Sequence, residues 1–166
     1  INMTNAANPL DSSAGGLINT GVLRADGGTL RIADTIVHNN GGTVEAVNNS
    51  VVELGVGGYA AVHGGTVTTA NGGVIRVIGV AGLNGDSAVA GTLTNTGLVD
   101  VSNGSRLDTA GTLNNAGTIQ LSSTGSFTDL RVVAATTLTG GGVLTLSNNG
   151  NNRVYGVAAT DVLTNS

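Results

Sequence analysis

Arg24, Glu53, Arg76 and Asp100 stand at the centre of four similar short segments, Leu-Arg-Ala, Val-Glu-Leu, Ile-Arg-Val and Val-Asp-Val. Carboxylates and guanidinium groups ranked along one surface are what a polysaccharide lyase or hydrolase needs to move protons at a glycosidic bond. Such a site also needs two carboxylates held in unlike environments, so that one is acid and the other base. Here Glu53 and Asp100 each have an arginine as neighbour in the series, which continues with Gln120 and Thr145. That arrangement reads first as an outward charge ladder, each exposed pair contributing at most ~1 kcal/mol.

Other chemistry-bearing residues are sparser. His38 and His63 lie 25 positions apart, and two stacked imidazoles begin a metal site, but no third ligand accompanies them. Gly82-Leu83-Asn84-Gly85-Asp86 partly matches a calcium-binding nonapeptide, once and not in tandem. The run Gly140–Gly142 lacks the Lys-Ser/Thr and the helix of a phosphate loop. Asp108, Asp129 and Asp161 follow no recurring motif. No cofactor is expected. A file of threonines, Thr66, Thr68, Thr92, Thr94, Thr137 and Thr139, would present ranked hydroxyls on one flat face, as an ice-binding surface requires. Glu45 and Asn114 interrupt it, and threonine is in any case a good exposed strand residue.

Whatever these groups do, a repeat must position them. Gly-Thr-Leu at 91–93 returns at 111–113. Apolar marks recur at Leu17, Val44, Val67, Leu93, Leu113, Leu138 and about Leu163, at intervals of 27, 23, 26, 20, 25 and 25. A strand with one buried face follows each mark, by apolar–polar–apolar alternation, at Leu23, Val52, Ile75, Val99, Ile119 and Leu144. The offset from mark to strand is 6, 8, 8, 6, 6 and 6 residues. A Gly or Asn suited to a tight bend precedes each strand. A third, weaker block appears at Leu30-Arg31-Ile32, Tyr59-Ala60-Ala61, Arg106-Leu107-Asp108, Phe127 and Val154-Tyr155, while 79–91 is expected to loop out.

Two or three short strands per turn, stacked turn on turn, describe an all-β fold: a parallel β-helix (β-solenoid) of about six coils of 20–27 residues. At ~4.8 Å per coil it forms a rod roughly 30 Å long. Right-handed winding is expected for coils this large. Residues 1–16 form an N-terminal segment or cap, and 17–166 the coils. The first six marks, Leu17 to Leu138, and the six strand residues named above form the inward columns. Asn19, Asn95, Asn115 and Asn165 fall two residues after a mark, on the same side. They either bond along the axis as a ladder or occupy turns.

Composition fits a slender core. Aromatic residues make up 2% of the 166 and there are 28 glycines, one proline and no cysteine. Positive mean hydropathy with only 10% charged residues argues against disorder. The net charge is −4 and the six basic residues, all Arg, are scattered, so no basic face for nucleic acid is present. No apolar run nears the ~20 residues of a membrane helix, which argues against membrane insertion. The first residues lack the charged and apolar regions of a signal peptide, as expected if one was removed or the chain is an excerpt of a longer solenoid.

The segments LTNTGLVDV, LNNAGTIQL and LTGGGVLTLSNNGNNRVYG resemble repeats of large secreted bacterial β-helical proteins: filamentous-haemagglutinin-like adhesins, autotransporter passengers and giant β-strand-repeat surface proteins. The resemblance runs from about Gly15 onward. It implies a bacterial protein, exported and displayed on, or released from, the cell surface. The expected role is a non-catalytic stalk or filament module. Its partners would be flanking coils or further copies end to end, with a glycan or cell-surface receptor as ligand. A carbohydrate-active enzyme and an ice-binding solenoid are the alternatives.

Overall fold

A computed structural model describes residues 1–3, 7–11, 15–85 and 91–166. Its regular structure is all strand, and every strand pairing is parallel. The chain winds as a β-solenoid of about six coils with three faces. The first face stacks Asn2–Met3, Val22–Asp26, Thr43–Val47, Gly65–Ala70 and Leu93–Asn95, then the C-terminal halves of Arg106–Asn115 and Thr128–Thr139, then Leu163–Asn165. The second stacks Ala7–Asp11, Thr29–Ala33, Val51–Leu54, Val74–Val77, Leu98–Ser102, Thr118–Ser122 and Val143–Leu146. The third stacks Leu17–Ile18, Ile36–His38, Ala60–His63, Val80–Asn84, the N-terminal halves of the two long strands, and Asn152–Gly156.

Alternation decides what faces inward, because successive strand residues point to opposite sides. Val52, Ile75, Val99 and Ile119 lie one above another on the second face and are fully buried; Leu144, next in the stack, is partly buried. Leu54, Val77, Val101 and Leu121 form a parallel column. Each such side chain contributes about 1.5–3 kcal/mol by leaving water. Leu, Ile, Val and Ala fill the narrow interior, which is why it holds no ring. At the bend from first to second face, Asn48 and Asn49 take φ of 55° and 60°, and one coil later Asn71 takes 51°. Asparagine tolerates this left-handed conformation better than a branched residue would.

The register differs from the sequence pattern at both ends of the third coil and at the start. Leu17 lies on the third face against Val37, not under Val44. Leu23 is the residue beneath Val44, on the first face, and Leu30 is the residue beneath Val52 in the second-face column. Leu-Arg-Ala and Leu-Arg-Ile alternate identically, so the pattern alone slid by one strand. Val67 stacks on Asn95, two residues beyond Leu93, while Leu93 stacks on Gly65. From there Leu113 and Leu138 follow Leu93 in line. Val80–Asn84, expected to loop out, is a strand with Ala81 and Leu83 buried; residues 86–90 lie outside the described set. The described residues ahead of Leu17 pair too: Ala7–Asp11 runs beside Thr29–Ala33. Pro9 therefore sits in an edge strand, where its missing N–H costs little.

Candidate functional site

The charge ladder runs up the second face, but its first member is Arg31. Arg31 pairs with Glu53 at 2.7 Å, and Arg76 with Asp100 at 3.9 Å. Register then leads to Gln120 and Thr145. Arg24 pairs instead with Glu45 on the first face. The arginines are about two-fifths exposed, so these pairs contribute little to stability.

The threonines do not form unbroken files. Thr66 lies beside Thr43 and Thr94, Thr68 beside Glu45 and hydrogen-bonded to Thr96, and Thr137 beside Thr112. Thr94 and Thr139 both flank Asn114, and Thr92 is exposed outside any strand. The two-residue slip between Val67 and Asn95 breaks the ranks.

The asparagines fall into two corners. Asn19 Nδ2 donates to Asn39 Oδ1 at 2.7 Å where the third face turns into the first. Asn95 Nδ2 donates to Asn115 Oδ1 at 2.7 Å where the first turns into the second. Asn39, unmarked by the repeat, is fully buried and its amide reaches the carbonyls of Gly42, Gly64 and Thr66. These amides satisfy carbonyls that the turns would leave buried and unpaired. Asn165 stacks on Leu138 and is exposed.

The third face gathers what the sequence scatters. The chain's two tyrosines and one phenylalanine all lie there, with three of its arginines. Arg-x-Asp at 106–108, Asp-x-Arg at 129–131 and Arg-x-Tyr at 153–155 stack on successive coils in alternating order. Arg106 is beside Asp129 and Asp129 beside Arg153; Asp108 is beside Arg131 and Arg131 beside Tyr155. Asp108, only 6% exposed, receives Arg131 through Nε at 2.9 Å and Nη2 at 2.7 Å, and Arg106 through Nε at 3.1 Å. Arg153 grips Asp129 in the same bidentate way at 2.8 Å and lies 3.8 Å above the Phe127 ring. Hydrogen bonding to these carboxylates holds Arg131 and Arg153 above the ordinary arginine range. The readable signal is the x-separated charge pair Arg106/Asp108, which returns 23 residues on with its sign order reversed, followed by Arg153 24 residues after Asp129.

Tyr59 lies across Gly82, where a Cβ would meet its hydroxyl. Burial, then the Asp108 carboxylate, pushes the Tyr59 phenol above the usual tyrosine range. Beside it an open cleft of about 480 Å³ is lined by Gly55, Gly57, Gly58, Tyr59, Gly79, Val80 and Arg106. His38 and His63 also stack on this face, edge to face with centroids 5.8 Å apart. Among the described residues no three His, Cys, Asp or Glu side chains cluster as a metal site would need. Asp86 of the calcium-like segment lies outside them. Chemically, both carboxylates of the third face are committed to arginines, so the face presents aromatic and guanidinium surface more than a free acid or base.

Compared with known protein families, curated proteins and solved structures, the chain matches none of them.

Proposed function

We propose that this chain is a non-catalytic structural and adhesive module of an exported bacterial surface protein: a stiff β-helical stalk or filament segment. The observation that carries the reading is the unbroken inward stack. Val52, Ile75, Val99 and Ile119, fully buried and in register across four coils, tie each turn to the next. A stack of this kind resists bending because every coil is hydrogen-bonded to both neighbours. The ion pairs support the same reading, since Glu53, Asp100, Asp108 and Asp129 all face arginines within 4.0 Å.

The last strand of each face pairs on one side only. Around it Val143, Leu146, Val154 and Val162 are 39% to 55% exposed. Unpaired edges with apolar side chains favour addition of further strands, so flanking coils or another copy end to end are the fitting partners. Secretion or surface display follows from the same role.

Two measurements test the reading. Light scattering should show association that rises with concentration; a strict monomer at millimolar concentration counts against end-to-end assembly. Turnover of a polysaccharide by the purified chain, lost in Glu53→Gln and Asp100→Asn, would replace the module with an enzyme.

A further inference from the structure

We propose that the cleft between Tyr59 and Arg106 binds one carboxylated sugar unit of an acidic polysaccharide, with the neighbouring coils of the third face receiving the units that follow. This deepens the adhesive part of the reading above, and its failure would leave the rod intact.

Arg106 carries the argument. Its Nε is committed to Asp108, but neither Nη has a partner among the described residues, and the side chain lines the cleft. Asp108 already accepts two hydrogen bonds at Oδ1 and one at Oδ2, which leaves it room for one more donor and not for both Nη groups. A guanidinium left with two coplanar donors is matched by a carboxylate, which accepts both at once.

The rest of the cleft fits a ring. Tyr59 is 39% exposed, so part of its aromatic face is open to stacking. Four of the lining residues are glycine. Gly55 is required by the close approach of the Val80 carbonyl, whereas a Cβ at Gly57 would meet nothing. The wall there is bare backbone that a flat ligand can approach. Asp34, exposed and set against Gly58, is an acceptor for hydroxyl groups next to this lining residue. The volume of about 480 Å³ lies within the range of small-ligand sites and is too small for a helix or a folded partner. A single guanidinium suits a monoanion better than a phosphate dianion.

A polymer is indicated by the repetition. Within two coils beyond Arg106, the exposed rings of Phe127 and Tyr155 flank Arg153, which Asp129 holds through Nε and Nη2 and which keeps Nη1 for a further hydrogen bond. A ligand with recurring ring and charge can meet both groups, and a lone monosaccharide only one.

Calorimetric titration of the intact chain with oligogalacturonate, its methyl ester, the free monosaccharide and an acidic peptide tests this. Oligogalacturonate should bind, with affinity about tenfold above that of the monosaccharide and at least about tenfold above that of the ester. Arg106→Gln and Tyr59→Ala should each weaken it about tenfold or more, Tyr59→Phe less than about twofold. Arg153→Gln should weaken the oligomer and leave the monosaccharide unchanged. Thermal melts matching the parent's would show that each variant is folded. Equal binding of the ester, equal binding of the acidic peptide, no binding of the oligomer, or full affinity in a folded Arg106→Gln protein would each overturn the proposal.

Discussion

Arg131 holds Asp108 from one coil further along the chain, with Nε on one carboxylate oxygen and Nη2 on the other. The pair joins two coils on the outside much as the leucines join them on the inside. Asp108 is 6% exposed and Arg131 23%, so solvent screens the contact less than it screens the second-face pairs. Asp108→Asn keeps the shape and removes the charge from beneath two guanidinium groups. It should cost about 1–3 kcal/mol, read as a lower urea midpoint. Asp100→Asn, whose arginine stands 3.9 Å away, should cost less than about 1 kcal/mol.

The corner asparagines predict a second contrast. Asn95 is fully buried and bonds Asn115 and the Gly97 carbonyl. Asn95→Ala would strand those groups away from water, at about 1–3 kcal/mol. Asn48 bonds Asp26 and Asn71 in the open, and Asn48→Gly, which keeps the left-handed φ of 55° without strain, should stay within about 0.5 kcal/mol. Parallel thermal melts would separate the two.

Alkaline titration should report on Tyr59. Its folded-state pKa is raised, by burial and then by Asp108, so the native chain holds this proton more tightly than the unfolded chain does. The contribution to stability is present below the unfolded value of about 10 and is lost as pH rises toward the folded value. In a Tyr155→Phe background, phenolate absorbance should appear later than in free tyrosine. Tyr59→Phe should flatten the decline in stability across that window. An ordinary titration curve would contradict the placement of Tyr59 over Gly82, near the Asp108 carboxylate.

Glycine requirements differ sharply by position. A Cβ at Gly73 would fall on the Ala46 carbonyl of the preceding coil, whereas one at Gly150 would meet nothing. Gly73→Ala should therefore destabilise by about 2 kcal/mol or more by forcing two coils apart. Gly150→Ala should be neutral within about 0.5 kcal/mol. Hydrogen exchange across Val74–Val77 would localise the damage.

The architecture was legible because parallel stacking repeats the same alternation at each turn; Val99 on Ile119 and Leu93 on Leu113 could be read from the chain. The register slip at Asn95 was harder. A shift of two residues keeps every apolar side chain pointing inward, so hydrophobic pattern cannot reveal it. The trace it leaves is the change in spacing from mark to strand, from eight residues after Val44 and Val67 to six after Leu93. There the first-face strand shortens from Gly65–Ala70 to Leu93–Asn95 and the chain turns sooner. The third face stayed hidden for another reason. Its charges alternate in sign from coil to coil, so a residue type returns at one position only every second coil, as Arg106 and Arg153 do. Arg106, Asp129 and Arg153 share a column only once the coil lengths are known.

The ladder hydrogen bonds point along the rod, from each turn to the next. Tension applied at the two termini therefore loads the outermost turn first and spares those behind it until it has given way. Under an optical trap, a single molecule should lengthen in discrete jumps, each releasing the 20 residues between Leu93 and Leu113 or up to the 28 between Val67 and Asn95. Such a fibre would act as a shock absorber, dissipating a sudden pull turn by turn.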